Sequence, residues 1–242
     1  MGNMATQMLL SNFPNNTTNV LEIGCGTGHA ASILSNLYPN IIYRGIDSSQ
    51  EMVNACLKRK QHLHLSLSDF LHLESAPYPL ESNSFDVVFC ESVIALQNTN
   101  ELEEILQEIH RVLKNKGVFI LNESLWKTST SIVLANKINN RVREKFGMIQ
   151  ASSIAYPNKW KKIFSEKGFK HKLFKPLKDC ALNESFNKAN TPSENFTKNK
   201  IMSSMFNLKQ LYHYFYFKYW NFRFSKYGNY IEPYFIIYEK AC

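Results

Sequence analysis

The stretch Val20-Leu21-Glu22-Ile23-Gly24-Cys25-Gly26-Thr27-Gly28-His29-Ala30 limits the fold more than any other part of the chain. Val20 to Ile23 reads as a short buried strand. Three alternating glycines follow, and then Ala30, Ile33, Leu34 and Leu37 recur at helical spacing. Glycine is used where a backbone must turn sharply or a ligand must lie against it, because no Cβ intrudes. A strand, a glycine-rich turn and a helix N-terminus together form a nucleotide site in open parallel sheets. The spacing is G-x-G-x-G, and His29 stands where a dinucleotide fingerprint has its third glycine. Glu22, two residues before Gly24, would repel a pyrophosphate and suits a cationic ligand instead.

The following segments continue an α/β pattern. Pro39-Asn40 ends the helix, and Ile41 to Ile46 predicts a second strand closing at Asp47. An acid there, 19 residues after Gly28, is placed to accept both hydroxyls of a ribose. Ser48-Ser49-Gln50-Glu51 reads as a capping box opening the next helix. His62 to Leu67 alternates apolar and polar residues, which predicts a third strand with Asp69 and Phe70 just beyond it. His62 and His64 then share one face. They have no third ligand, so no metal site is expected. Phe85 to Cys90 is an almost wholly apolar strand of the kind covered on both faces, and Glu91-Ser92 follows at its carboxyl end, where open sheets place their ligands. Leu102, Ile105, Leu106, Ile109, Val112 and Leu113 form a helical stripe that Gly117 is expected to cap, and Val118 to Leu121 predicts a fifth strand.

The glycine stretch, Gly45-Ile46-Asp47-Ser48-Ser49-Gln50-Glu51-Met52 and the run Arg111-Val112-Leu113-Lys114 followed by Gly117 and a strand occur in this order. Together they resemble the class I S-adenosylmethionine (SAM) dependent methyltransferases over about residues 19–122. The resemblance is strongest to the small-molecule branch that includes the ubiquinone and menaquinone methyltransferases. It implies a Rossmann-like three-layer αβα sandwich with a mostly parallel seven-stranded sheet. It also implies SAM as cofactor and S-adenosylhomocysteine (SAH) as product. By the same resemblance, Glu22, Gly24, Cys25, Gly26, Gly28, Asp47 and Ser48 hold the cofactor, Met52 packs on the adenine, and Asp69 accepts from the adenine amino group with Phe70 stacking beside it. Glu91 faces the sulfonium or the acceptor.

Residues 1–125 carry 7 basic and 13 acidic residues, whereas residues 126–242 carry 21 and 7. One domain is expected, with a SAM-binding core over 1–125 and a substrate-side half over 126–242. In that second half, Ser131 to Phe146 and a segment from Pro157 to Gly168 predict helices, and Phe169 to Leu177 and Tyr234 to Lys240 predict the last strands. An aromatic-rich lid insertion is expected over about 178–231, with Ile201, Met205, Leu208, Tyr212, Phe215, Tyr219 and Phe222 on one helical stripe and Lys218, Arg223 and Lys226 at its rim. Such a roof suits a flat aromatic or lipid-like small-molecule acceptor, including one taken from a membrane surface; the bland reading is a core stripe or a homodimer interface. The basic half also admits an RNA or DNA acceptor, although no N-P-P-Y-type motif follows the fourth strand. A non-catalytic SAM-binding protein is the third reading. Glu91, His29, Tyr156 and His213 are the candidates for a catalytic base. The five cysteines are scattered without C-x-x-C spacing, so a reducing cytoplasm is expected, with no disulfide framework and no metal site. No apolar run reaches the length of a membrane span.

Overall fold

The structure is a computed structural model that describes residues 2–180 and 229–241. The proposed lid stripe, its basic rim and His213 lie outside the described residues.

The chain runs α1 (Gly2–Ser11), β1 (Asn19–Ile23), α2 (His29–Leu37), β2 (Ile42–Asp47), α3 (Gln50–Leu63), β3 (Ser68–His72) and β4 (Phe85–Glu91). A 3-10 turn (Ile94–Leu96) leads to α4 (Thr99–Val112), β5 (Leu113–Trp126), α5 (Ile132–Phe146), α6 (Pro157–Glu166), β6 (Phe169–Pro176) and β7 (Ile231–Lys240). The strands form one seven-stranded sheet in the order β3-β2-β1-β4-β5-β7-β6. β7 pairs antiparallel with both β5 and β6, and the other pairings are parallel.

Strand alternation divides the core in two, because successive side chains leave a sheet on opposite faces. On β4, Val88 and Cys90 join the cluster under α4, α5 and α6. Val87 and Phe89 join the cluster under α1, α2 and α3. The helices therefore cover both faces, giving the expected αβα sandwich. α4 has a full capping box, with Asn98 accepting from Glu101 N–H and Glu101 accepting from Asn98 N–H. Pro157 occupies the first turn of α6, where its missing N–H costs nothing.

Three local expectations are corrected. The alternating run His62 to Leu67 is not a strand: His62 and Leu63 finish α3, and His64 caps it in the left-handed region at φ 53°. β3 begins only at Ser68. At the start of α3, Ser49 alone caps, accepting from Met52 N–H at 3.4 Å. Gly117 lies inside β5 rather than at the end of α4, which already stops at Val112.

Candidate functional site

The parallel register brings the carboxyl ends of four strands side by side. Ile23 pairs with both Ile46 and Cys90, and Glu91 pairs with Asn122. Gly24, Asp47, Glu91 and Asn122 thus come to one edge of the sheet. A cavity of about 460 Å³ opens there, lined by Gly24, Asp47, Ser48, Glu91 and Ser92, with Val93 and Leu96 forming a further wall.

Gly24 sits at φ +73°, and a Cβ added to it would run into Val93 Cγ2. Only glycine fits both constraints without strain. The N–H groups of Gly24 and Cys25 donate to the Ile46 carbonyl at 2.8 and 3.0 Å, which ties the turn to β2. Gly26 N–H donates to Asp47 Oδ2 at 2.8 Å and Ser49 N–H donates to Oδ1 at 2.9 Å. Two backbone donors therefore fix the Asp47 carboxylate at the cavity. Each of its oxygens keeps acceptor capacity for a diol.

Five carboxylates line the cavity: Asp47, Glu74, Glu91, Glu101 and Glu104. Among the described residues, no lysine or arginine does. A concave site lined by one sign of charge concentrates ligands of the opposite sign. The cavity suits a cation and opposes a polyphosphate, so the residues present fit SAM, which carries a sulfonium and an amino group.

Several residues named from the sequence lie elsewhere. Glu22 is buried beneath the turn and accepts a hydrogen bond from Tyr43 Oη. Burial pushes its carboxyl up to about 8 against that hydrogen bond, so at neutral pH it holds its proton. Cys25 is also buried, its Sγ 3.8 Å from Cys56 Sγ, and the Cys56 thiol donates to the Gly26 carbonyl. Met52 stands on α3 with 38% of its surface exposed and does not line the cavity.

Asp69 and Phe70 lie within β3, not beyond it. Asp69 accepts from Phe70 N–H and faces Arg44 across β2, while Phe70 is buried against Tyr43. The displacement follows from the shift of β3. Asp47 pairs with His72, so the residues beyond the strand are Leu73, Glu74 and Ser75, and these line the cavity. A clamp that the sequence did not reveal holds the loop after them. Glu108 Oε1 accepts from Tyr78 N–H at 3.0 Å, and Arg111 bonds both Glu108 and the Tyr78 carbonyl.

His213 lies outside the described residues; of Glu91, His29 and Tyr156, the structure brings Glu91 to the cavity. Thr6 Oγ1 donates to Glu91 Oε2 at 2.8 Å, and Asn122 Nδ2 donates to Oε1 at 3.2 Å. α1 thereby contributes a side chain to the site. Tyr156 Oη donates to the Thr130 carbonyl at 3.0 Å and is buried away from the cavity. His29 begins α2 and is exposed. Among the described residues, no cluster of His, Cys, Asp or Glu could hold a metal ion, and no helix is long and apolar enough to cross a membrane.

A family model described as a methyltransferase domain matches residues 14–168. The demethylmenaquinone methyltransferase of Thermotoga maritima is 30% identical over 110 residues, covering 46% of this chain and 45% of that protein. The fatty-acid O-methyltransferase of Mycolicibacterium smegmatis is 29% identical over 105 residues, covering 43% of this chain and 36% of that one. The matches thus span less than half the length of these curated relatives. The solved structure of phosphoethanolamine N-methyltransferase 2 of Haemonchus contortus superposes on 99% of this chain and 53% of that one, with a TM-score of 0.70 at 17% identity. That superposition concerns the fold.

Proposed function

We propose that this chain, which belongs to the class I SAM-dependent methyltransferase family, transfers a methyl group from SAM to a small-molecule acceptor. The observation that carries the reading is the acidic cavity at the strand ends, walled by the Gly24 turn and by the fixed Asp47 carboxylate. When bound, SAM supplies a methyl group on a positively charged sulfur, which is already activated for displacement.

The chain's own residues then have to bind, align and exclude water. Gly24 lets Val93 pack against the turn, and together they wall the cavity. Asp47 accepts the ribose hydroxyls, and Ser48 lies beside it. Glu74 and Ser75 take the adenine end, the part that the resemblance assigned to Asp69 and Phe70. Glu91, braced by Thr6 from α1 and Asn122 from β5, faces the acceptor side. A carboxylate there can orient an acceptor through a hydrogen bond, or take a proton from one that must lose it.

The small-molecule relatives support this acceptor class over nucleic acid. The test is incubation of the protein with methyl-labelled SAM and, separately, a fractionated metabolite extract and total RNA. Label is expected in a metabolite fraction. Label in RNA alone would overturn the acceptor class, and calorimetry showing NAD binding with no SAH binding would overturn the cofactor.

A further inference from the structure

Glu123 follows Asn122 on β5, is 1% exposed and does not line the cofactor cavity. Four donors converge on its carboxylate. Oε1 accepts from the N–H groups of Val93 and Ile94, both at 2.8 Å, and from the Cys90 thiol at 3.4 Å. Oε2 accepts from Ala95 N–H at 3.4 Å. These three amides open the 3-10 turn Ile94–Leu96. The first amides of any helical turn lack intrahelical partners, and Val93 at the cap position has no side chain to offer. Glu123 satisfies them from another strand.

The turn is also entered under strain. Ser92 has φ 60°, a region that costs a non-glycine residue on the order of 1 kcal/mol or more and persists only when its surroundings impose it. Ser92 N–H donates to the Asn122 carbonyl at 2.9 Å, so β5 holds both ends of the segment. The segment divides two spaces. On one side Val93 packs against Gly24, and Leu96 lines the 460 Å³ cavity. On the other side Ser92, Ala95 and Leu96 wall a second cavity of about 190 Å³, which Glu123 itself lines together with Ser124, Met148 and Gln150.

We propose that Glu123 is a positioning residue: it holds the 92–96 segment as the partition between the cofactor cavity and the smaller cavity beside it, and so sets the affinity for SAM. This rests on the reading that the larger cavity takes SAM. Every partner the structure gives the Glu123 carboxylate belongs to this segment or to Cys90 just before it. Cys90, Ile94 and Ala95 also belong to the core under α4, α5 and α6, so its loss moves the cavity wall and that edge of the core together, and the core under α1, α2 and α3 keeps its members.

The test is Glu123→Gln. Burial pushes the Glu123 carboxyl up to about 7, against the hydrogen bonds from Val93, Ile94, Cys90 and Ala95. The amide has one acceptor oxygen and turns a donor toward amides that need an acceptor. SAH affinity by calorimetry is expected to fall about tenfold or more, with KM for SAM rising further than kcat falls. Amide exchange at Val93, Ile94 and Ala95 is expected to accelerate while exchange in β1 and β4 stays slow. A variant that binds SAH within twofold of wild type overturns the proposal. Ligand-free wild-type protein gives an independent decision: slow exchange at those three amides supports the clamp, and exchange at the rate of an exposed loop overturns it. Wild-type protein that binds no SAH would overturn the cofactor reading, and the three exchange rates would still decide the role of Glu123.

Discussion

Glu22 and Asp47 both stand beside the glycine turn, and their surroundings give them opposite chemistry. Asp47 faces the cavity with two backbone donors on its oxygens. Asp47→Ala removes the charged group proposed to hold the ribose and also frees the Gly26 and Ser49 amides. The expected loss in SAH affinity is about 1.5–3 kcal/mol, or ten- to a hundredfold. Calorimetry within twofold of wild type would remove Asp47 from the site. Glu22 is buried, and its carboxyl is raised from 4.5 to about 8, first by burial and then by the nearby Glu91, against the hydrogen bond from Tyr43. A raised acid means that the folded chain keeps a proton which the unfolded chain has already released. The contribution of Glu22 to stability should therefore be fully present below about pH 4.5 and decline as pH rises toward 8. Glu22→Gln carries no proton to lose. Its melting temperature should gain on wild type between pH 5 and pH 8, by on the order of 3 kcal/mol in stability. Parallel melting curves for the two proteins across that range would show that Glu22 is not protonated in the fold.

At the scale of elements, Asp86 joins the starts of three strands at the edge opposite the site. Its Oδ2 accepts from the N–H groups of Thr18 and Asn19 and from Thr18 Oγ1, and its Oδ1 accepts from Lys114 Nζ at 2.6 Å. Burial alone would raise its carboxyl, but Lys114 and these donors outweigh burial and hold it at about 2. The folded value is depressed, so this stabilisation is present above about pH 3.8 and is lost as pH falls toward 2. Asp86→Asn should cost about 1 kcal/mol at pH 7, a figure discounted for the partial exposure of the pair. In chemical denaturation the gap should narrow from pH 5 to pH 3, and a constant gap would mean that packing, not charge, is lost. The elements most legible in the sequence are those with one strong period and a clear stop. β1, β2 and β4 are mostly apolar and stop before Gly24, at Asp47 and at Glu91, and α4 carries an unbroken stripe. β3 was misplaced because it is an edge strand with Ser68, Asp69 and His72 among its five residues. The better alternation just before it belongs to a helix end and a turn. That shift puts Glu74, rather than Asp69, at the cavity. Glu123, Thr6 and the Glu108–Arg111 clamp left no local signal, because each acts on a segment distant in sequence.

At the scale of the whole molecule, the site residues lie early in the chain while the sheet is completed by its last strand. The family match ends at residue 168, before β6 and β7. Yet β7 lies between β5 and β6, so without it β5 loses a partner along Val118 to Trp126, and β6 has no neighbour in the sheet. β5 is the strand that carries Asn122 and Glu123. Phe235, Ile236 and Tyr238 are each at most 1% exposed, and the Tyr238 ring stacks on Phe164 at 4.5 Å. Burying three such side chains contributes roughly 5–9 kcal/mol, comparable with the whole net stability of an ordinary domain, about 5–15 kcal/mol. Lys240 adds a buried tie, donating to the Asn83 side chain and to the Leu113 carbonyl, both at 2.8 Å. A chain ended at residue 228 keeps every residue of the proposed site and should nonetheless fail to fold as a cooperative unit. The expected readouts are loss of the sharp thermal transition by circular dichroism and no measurable SAH binding. A shortened chain that melts cooperatively and binds SAH at wild-type affinity would show that the parallel half of the sheet stands alone and that β7 is an addition to it.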